Sequence, residues 1–292
     1  MPVDLVTDPV MPRHGRRRAV LTRCAAGIVL AGVTPLAGPV RDQGQSPASV
    51  SVTFLANEGV LLSSGSTRVL IDALFIKYET GFAVPAESTQ AALRHARAPF
   101  DSVDLVLVTH RHGDHFHPGP AAAHLAANPG ATLLTSQQVI DSMRHVPGIA
   151  RLAPRMVPRT MAPGTRRRVV VNGLPVELLG LPHGGRRHRH VEHLGYVVEM
   201  AGRRILHVGD AELSEATLAP LGLDTSRIDV ALLPAWSLTD RASREAIARW
   251  IRPRQVIAFH LSEGAGSREV REVQEAWPGA GVFVRSLEAR SW

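Results

Sequence analysis

The sequence predicts an α/β fold, and two observations carry that expectation. Apolar, β-rich runs recur at Val103–Val108, Arg204–Val208, Ile228–Leu233 and Gln255–Phe259, and they alternate with stretches of helical composition. Several of these runs also end at a side chain of metal-binding type: Val103–Val108 leads into THRHGDH, Pro175–Leu181 into His183, Arg204–Val208 into Asp210 and Gln255–Phe259 into His260. Open α/β sheets place functional groups beyond the carboxyl ends of their strands, so the repetition marks both the architecture and the site.

The elements follow in order. Ser51–Leu55, Val60–Leu62 and Arg68–Asp72 predict an opening β meander, Pro85–Ala98 a helix, and Val103–Val108 a strand covered on both faces. Val169–Val171 and Val176–Leu179 read as a hairpin through Asn172 and Gly173, a favoured turn pair. Leu194–Glu199 and Arg203–Val208 form another, joined through Gly202. Ile228–Leu233 is a further strand. Asp240 is placed to cap a helix over Arg241–Trp250, because its carboxylate accepts a backbone amide at the helix start. Gln255–Phe259 then returns as a strand, followed by a helix over Ser267–Trp277 and a last strand at Val282–Val284.

His110, His112, Asp114 and His115 supply four potential ligands within six residues, at the mouth of a buried strand. His183, Asp210 and His260 add enough donors for two adjacent metals. The alternative of a histidine-rich solvated loop explains the first cluster alone but not the repetition downstream. His188, His190 and His193 compete with His183, which stands immediately after an apolar strand while the others occupy a basic, loop-like segment.

THRHGDH matches every fixed position of the THxHxDH signature of the metallo-β-lactamase superfamily, which the chain resembles from about Val50 to Val284. VLIDALF belongs to the same resemblance, since family members commonly have a strand followed by an aspartate there. The resemblance implies one domain over residues 44–292, a four-layer αββα sandwich with two facing mixed β-sheets. It implies His110, His112 and His183 as ligands of one metal, Asp114, His115 and His260 as ligands of a second, Asp210 as the bridge and Asp72 as structural support. Two divalent ions are the expected cofactors, zinc first, with manganese, iron or nickel compatible with an oxygen and nitrogen donor set.

The expected activity is hydrolysis by a metal-activated water, on an ester, lactone, amide or phosphodiester. Asp114 is expected both to ligate and to orient that water. His193 is a candidate catalytic donor of a hydrogen bond or proton, with His190 and His207 behind it, although support of a ligand is the commoner role for such histidines. A metal-bearing binding or structural protein with a degenerate, non-catalytic site is the alternative of a different class. Trp236 is read first as core packing and second as an apolar substrate wall, and Phe75, Ile76, Tyr78 and Phe82 as a pocket lip.

Residues 1–43 read separately. Arg16, Arg17 and Arg18 precede an apolar, small-residue stretch that continues to about Leu36, resembling a twin-arginine export signal with a processed leader. The expected precursor partner is therefore the twin-arginine export machinery, and the expected location periplasmic or secreted. Cys24, the only cysteine, lies inside that leader, which removes disulfides and thiolate ligands from the mature chain. From residue 44 onward 27 Lys and Arg face 23 Asp and Glu, and the aromatics do not interleave with basic residues. That pattern gives no nucleic-acid footprint, and no later segment reaches the length of a membrane span. The basic run Arg186–His190 is the one local positive patch, read as a solvated loop or as a rim attracting an anionic group of a small-molecule substrate.

Overall fold

The computed structural model describes residues 49–77, 81–262 and 266–292, all within the unit Gln45–Trp292. The leader expected over residues 1–43, Cys24 and Tyr78 lie outside the described residues.

β1 (Ser51–Ala56), β2 (Gly59–Ser64) and β3 (Thr67–Ile71) form the predicted meander, followed by α1 (Glu87–Arg94) and β4 (Leu105–Val108). α2 (Pro118–Ala127), β5 (Thr132–Thr135), α3 (Gln137–Met143) and β6 (Met156–Pro158) extend this half. β7 (Arg166–Val171) and β8 (Leu174–Gly180) make the hairpin through Asn172 and Gly173, both at positive φ as that tight turn requires. β9 (Leu194–Met200) and β10 (Arg203–His207) turn through Ala201 and Gly202 in the same way. The chain continues through α4 (Glu215–Leu218), β11 (Val230–Pro234), α5 (Ala235–Thr239), α6 (Arg241–Trp250), β12 (Gln255–Phe259), α7 (Gly266–Ala276), β13 (Gly281–Val282) and β14 (Ala289–Ser291). Asp240 caps α6 as its sequence predicts, accepting from Ser243 N at 2.8 Å.

The strands form two seven-stranded mixed sheets, ordered β14-β1-β2-β3-β4-β5-β6 and β13-β12-β11-β10-β9-β8-β7. In each, an antiparallel group meets a parallel group, at β3/β4 in the first sheet and β10/β11 in the second. Side-chain alternation builds the layers. Val69, Ile71, Leu105 and Leu107 face Tyr196, Val198, Leu232 and Ile257 between the sheets. Leu70, Val106 and Val108 turn the other way, into a cluster with Leu93 of α1 and Leu125 of α2. Val197, Leu206, Leu233 and Val256 pack outward with Leu218 of α4 and Ile247 of α6. Helices therefore cover both outer faces and the αββα sandwich follows. Each fully buried aliphatic side chain stabilises this arrangement by about 1.5–3 kcal/mol relative to exposure.

Two of the cross-sheet bonds at the end where the histidines emerge tie β9 to the end of β4. Tyr196 Oη donates to Val108 O at 2.7 Å, and Leu194 N donates to Thr109 O at 3.0 Å. The expected last strand is shorter than its sequence suggests: β13 ends at Val282, and Val284 is exposed. The edge strand β14 pairs instead with β1, at the far side of the other sheet.

Candidate metal centre

The site lies beyond the carboxyl ends of β3, β4, β8, β10 and β12, with the β1–β2 turn closing it. Asp72 follows β3, His110, His112, Asp114 and His115 follow β4, His183 follows β8, Asp210 follows β10 and His260 follows β12. The structure brings all seven residues implied as ligands together in two groups.

In the first, His112 Nδ1 stands 2.9 Å from His110 Nε2 and 3.1 Å from His183 Nε2. Asp210 Oδ2 lies 3.5 Å from His183 Nε2 and 3.9 Å from His110 Nε2. In the second, Asp114 Oδ2 lies 3.6 Å from His115 Nε2 and 3.3 Å from His260 Nε2, and Asp210 Oδ1 lies 3.4 Å from each of those nitrogens. Four donors held about 2.1 Å from one tetrahedral cation would stand about 3.4 Å apart, which is the spacing of the second group. Asp210 offers one oxygen to each group.

Hydrogen bonding fixes which ring nitrogen each histidine presents. Thr109 Oγ donates to Asp72 Oδ2 at 2.6 Å, which leaves it to accept from His110 Nδ1 at 3.0 Å. His183 Nδ1 donates to Gly184 O at 2.7 Å, and His115 Nδ1 to Asp72 Oδ2 at 2.9 Å. The Nε2 atoms of His110 and His183 consequently present lone pairs to the cluster, and His115 turns its Nε2 the same way. His112 Nδ1 faces two such lone pairs and as a proton donor satisfies only one. His115 Nε2, His260 Nε2 and Asp210 Oδ1 are buried without a hydrogen-bond partner. Buried lone pairs turned toward one another fit divalent cations, and the donor set of imidazoles and carboxylates suits them.

The electrostatics agree. Burial keeps the His110 imidazole neutral, and burial together with the neighbouring His183 and His115 lowers His112 to about 4. Burial disfavours charge on His115, yet Asp210, Asp114 and Glu58 outweigh it and raise its pKa well above the ordinary value, so these carboxylates favour positive charge here and a bound cation would take the place of the Nε2 proton. Burial also opposes charge on Asp210, but His115 and its hydrogen-bonding neighbours hold that carboxyl well below the usual range. The acid is ionised where two cations would share it.

His193 stands beside the first group of ligands. It is buried, its Nδ1 is 3.1 Å from Leu181 O, and burial lowers it to about 3. A neutral ring bonded to the backbone and packed 5.2 Å from His110, centroid to centroid, supports the ligand cluster. Its Nε2 has no partner, and the ring lines the cleft beside His183. His207 is another support, bonding Glu58 O at 3.0 Å and accepting from Gly209 N at 3.2 Å. His190 is exposed, and His188 packs at the rim, its ring 4.9 Å from His112 and 4.6 Å from His183.

Trp236 is 41 % exposed and meets the His260 ring edge-on at 4.7 Å, so the core-packing reading gives way to an apolar wall beside the site. Phe82 meets the same ring at 4.2 Å, whereas Phe75 is buried and no part of a lip. Beside His183 a cleft of about 500 Å³ is lined by Met161, Leu181, Arg189, His190 and Glu192 among others. Arg189 lines it and is exposed, as are Arg186 and Arg187 earlier in the same run.

Sequence reasoning missed Asn57 and Glu58. Asn57 Nδ2 donates to Asp114 O and Oδ2, both at 3.3 Å, steadying that ligand. Glu58 is wholly buried, and burial together with Asp210 pushes its carboxyl well above the ordinary value. The available signal was a charged residue in a three-residue break between two apolar runs, FLANEGVLL.

The chain is also similar in sequence and fold to known proteins. The sequence model of the β-lactamase superfamily domain matches residues 67–273. A UPF0173 metal-dependent hydrolase of Symbiobacterium thermophilum is 30% identical over 215 residues, covering 72% of this chain and 84% of the relative. One from Heliobacterium modesticaldum is 27% identical over 215 residues, covering 72% and 82%. Among solved structures, a metallo hydrolase from Ignicoccus hospitalis, Igni18, superposes with a TM-score of 0.56 at 18% identity, covering 84% of this chain and 98% of that one. At that identity the likeness concerns the fold.

Proposed function

The chain belongs to the metallo-β-lactamase superfamily, and from that premise we propose that it is a dinuclear metal-dependent hydrolase acting on a small molecule with an ester, lactone, amide or phosphodiester bond. The observation that carries the proposal is the sharing of Asp210: Oδ2 faces the His110, His112 and His183 group while Oδ1 faces His115 and His260. When bound, two divalent ions, zinc first, would acidify water and draw charge from the scissile group.

The protein's own residues do the rest. Asp114, held by Asn57, is positioned to ligate and to orient the attacking water. Asp72 and Thr109 set the histidine tautomers, and Trp236 and Phe82 give an apolar wall at His260. The exposed Arg186, Arg187 and Arg189 support an anionic group on the substrate, attracted to the rim. The proposal includes export through a twin-arginine route to a periplasmic or secreted location, on the strength of Arg16–Arg18 and the apolar stretch behind them.

The test is a panel of lactone, carboxylester, phosphodiester and β-lactam substrates offered to the metal-loaded protein. Turnover of at least one class, abolished by chelation and by His112→Ala, is expected. A folded, metallated protein inert toward all four classes would favour a binding or structural role.

A further inference from the structure

Glu58 occupies the turn between β1 and β2, wholly buried, and neither of its carboxylate oxygens has a hydrogen-bond partner. Oε2 stands 3.5 Å from His115 Nδ1, but the proton there goes to Asp72 at 2.9 Å. Glu58, His115, Asp210 and His260 each offer one donor atom within 4.8 Å of the other three. The same four side chains carry unpartnered buried atoms: both oxygens of Glu58, Nε2 of His115, Oδ1 of Asp210 and both ring nitrogens of His260. Every member of this proximity set therefore also has a buried atom with no partner. Carboxylate oxygens buried without a polar partner are costly, and a cation within their reach would compensate them.

The backbone around Glu58 is held in place. His207 Nε2 bonds Glu58 O at 3.0 Å, and His260 N donates to Asn57 O at 3.3 Å. At Gly59 an added Cβ would come within 2.9 Å of Asp72 O, so the turn is packed directly against the residue that orients His115. The side chain is therefore aimed by fixed elements on both sides.

We propose that Glu58 is a further ligand of the second cation. That site then holds three carboxylates, Glu58, Asp114 and Asp210, against two imidazoles, while the first keeps three imidazoles and one shared carboxylate. Oxygen-rich sets suit harder ions such as manganese and imidazole-rich sets suit zinc. The two positions consequently differ in preference, and Glu58 sets the difference. This inference rests on the two-cation reading given under the proposed function.

The experiment uses the full chain stripped by chelation, then titrated with zinc followed by manganese, with bound metal read by mass spectrometry and manganese by electron paramagnetic resonance. The wild type is expected to take zinc first and then manganese at a separate position. Glu58→Gln, close in shape, is expected to keep the zinc and to lose manganese affinity by roughly tenfold or more. Retained zinc shows that the variant is folded at the first group. Unchanged manganese affinity in Glu58→Gln overturns the inference while leaving the two-cation reading intact. So does a crystal structure of the metal-loaded wild type in which neither Glu58 oxygen reaches the second ion, a result that decides the matter even if the variant fails to fold. A wild type that binds no metal overturns both.

Discussion

Asp72 Oδ2 lies 2.9 Å from His115 Nδ1, and the same oxygen accepts from Thr109 Oγ, which in turn accepts from His110 Nδ1. One carboxylate thereby sets the tautomer of a histidine in each metal group. Asp72 is itself held at φ +47, and its Oδ1 takes Thr109 N at 2.8 Å. Asp72→Ala should weaken cation binding at both positions by about 10- to 100-fold, as removal of such supporting groups does. Calorimetric titration of the stripped protein measures this; a variant of lower thermal stability but unchanged metal affinity would reduce Asp72 to a packing role.

Gly209 sits at φ +56 between β10 and Asp210, and a Cβ there would approach Thr109 Oγ to 2.7 Å and His193 Nε2 to 2.8 Å. Gly209→Ala combines a disfavoured backbone with a clash against the chain that orients His110. A loss of about 1–3 kcal/mol in stability is expected, together with weaker metal binding. Denaturant unfolding of the metal-free and metal-loaded protein separates the two effects.

Trp236 leaves much of its ring in solvent beside His260. Trp236→Ala should change stability by no more than about 0.5 kcal/mol, as exposed substitutions usually do, while raising KM for the substrate found in the panel. Equal KM values for wild type and variant would remove the indole from the substrate wall.

The strands that carry the ligands were legible because each is a short apolar run that stops at a polar side chain, and THRHGDH is dense enough to mark its own chemistry. α2 was not legible. PGPAAAHLAA is small and apolar on every side, so it lacks the one-sided periodicity that announces a surface helix. β5 and β14 are too short, at four and three residues, to show alternation. Trp236 was misjudged because an apolar residue after a strand looks alike whether it turns inward or outward. Glu58 escaped because burial of a charge depends on a turn folding under a neighbouring sheet, which local pattern does not encode.

Acid should destabilise the fold by a route independent of the carboxylates. Burial lowers His193 to about 3, and burial likewise lowers His124, whose Nδ1 is 2.6 Å from Leu93 O. Both stay neutral in the folded protein at pH values where the unfolded chain, with ordinary histidines near 6.5, binds protons. The unfolded state therefore gains protons as pH falls below about 6.5, and stability drops toward the folded pKa by up to about 1.4 kcal/mol per pH unit for each group. His124→Gln, away from the metal groups, should flatten the decline in melting temperature between pH 7 and 5. An unchanged slope would assign the acid sensitivity elsewhere.

Anomalous diffraction from crystals of the metal-loaded protein bears most directly on the paired-cation centre. Two peaks are expected, one among His110, His112 and His183 and the other among Asp114, His115 and His260, with Asp210 touching both. A single peak, or Asp210 turned away from either ion, would contradict the account.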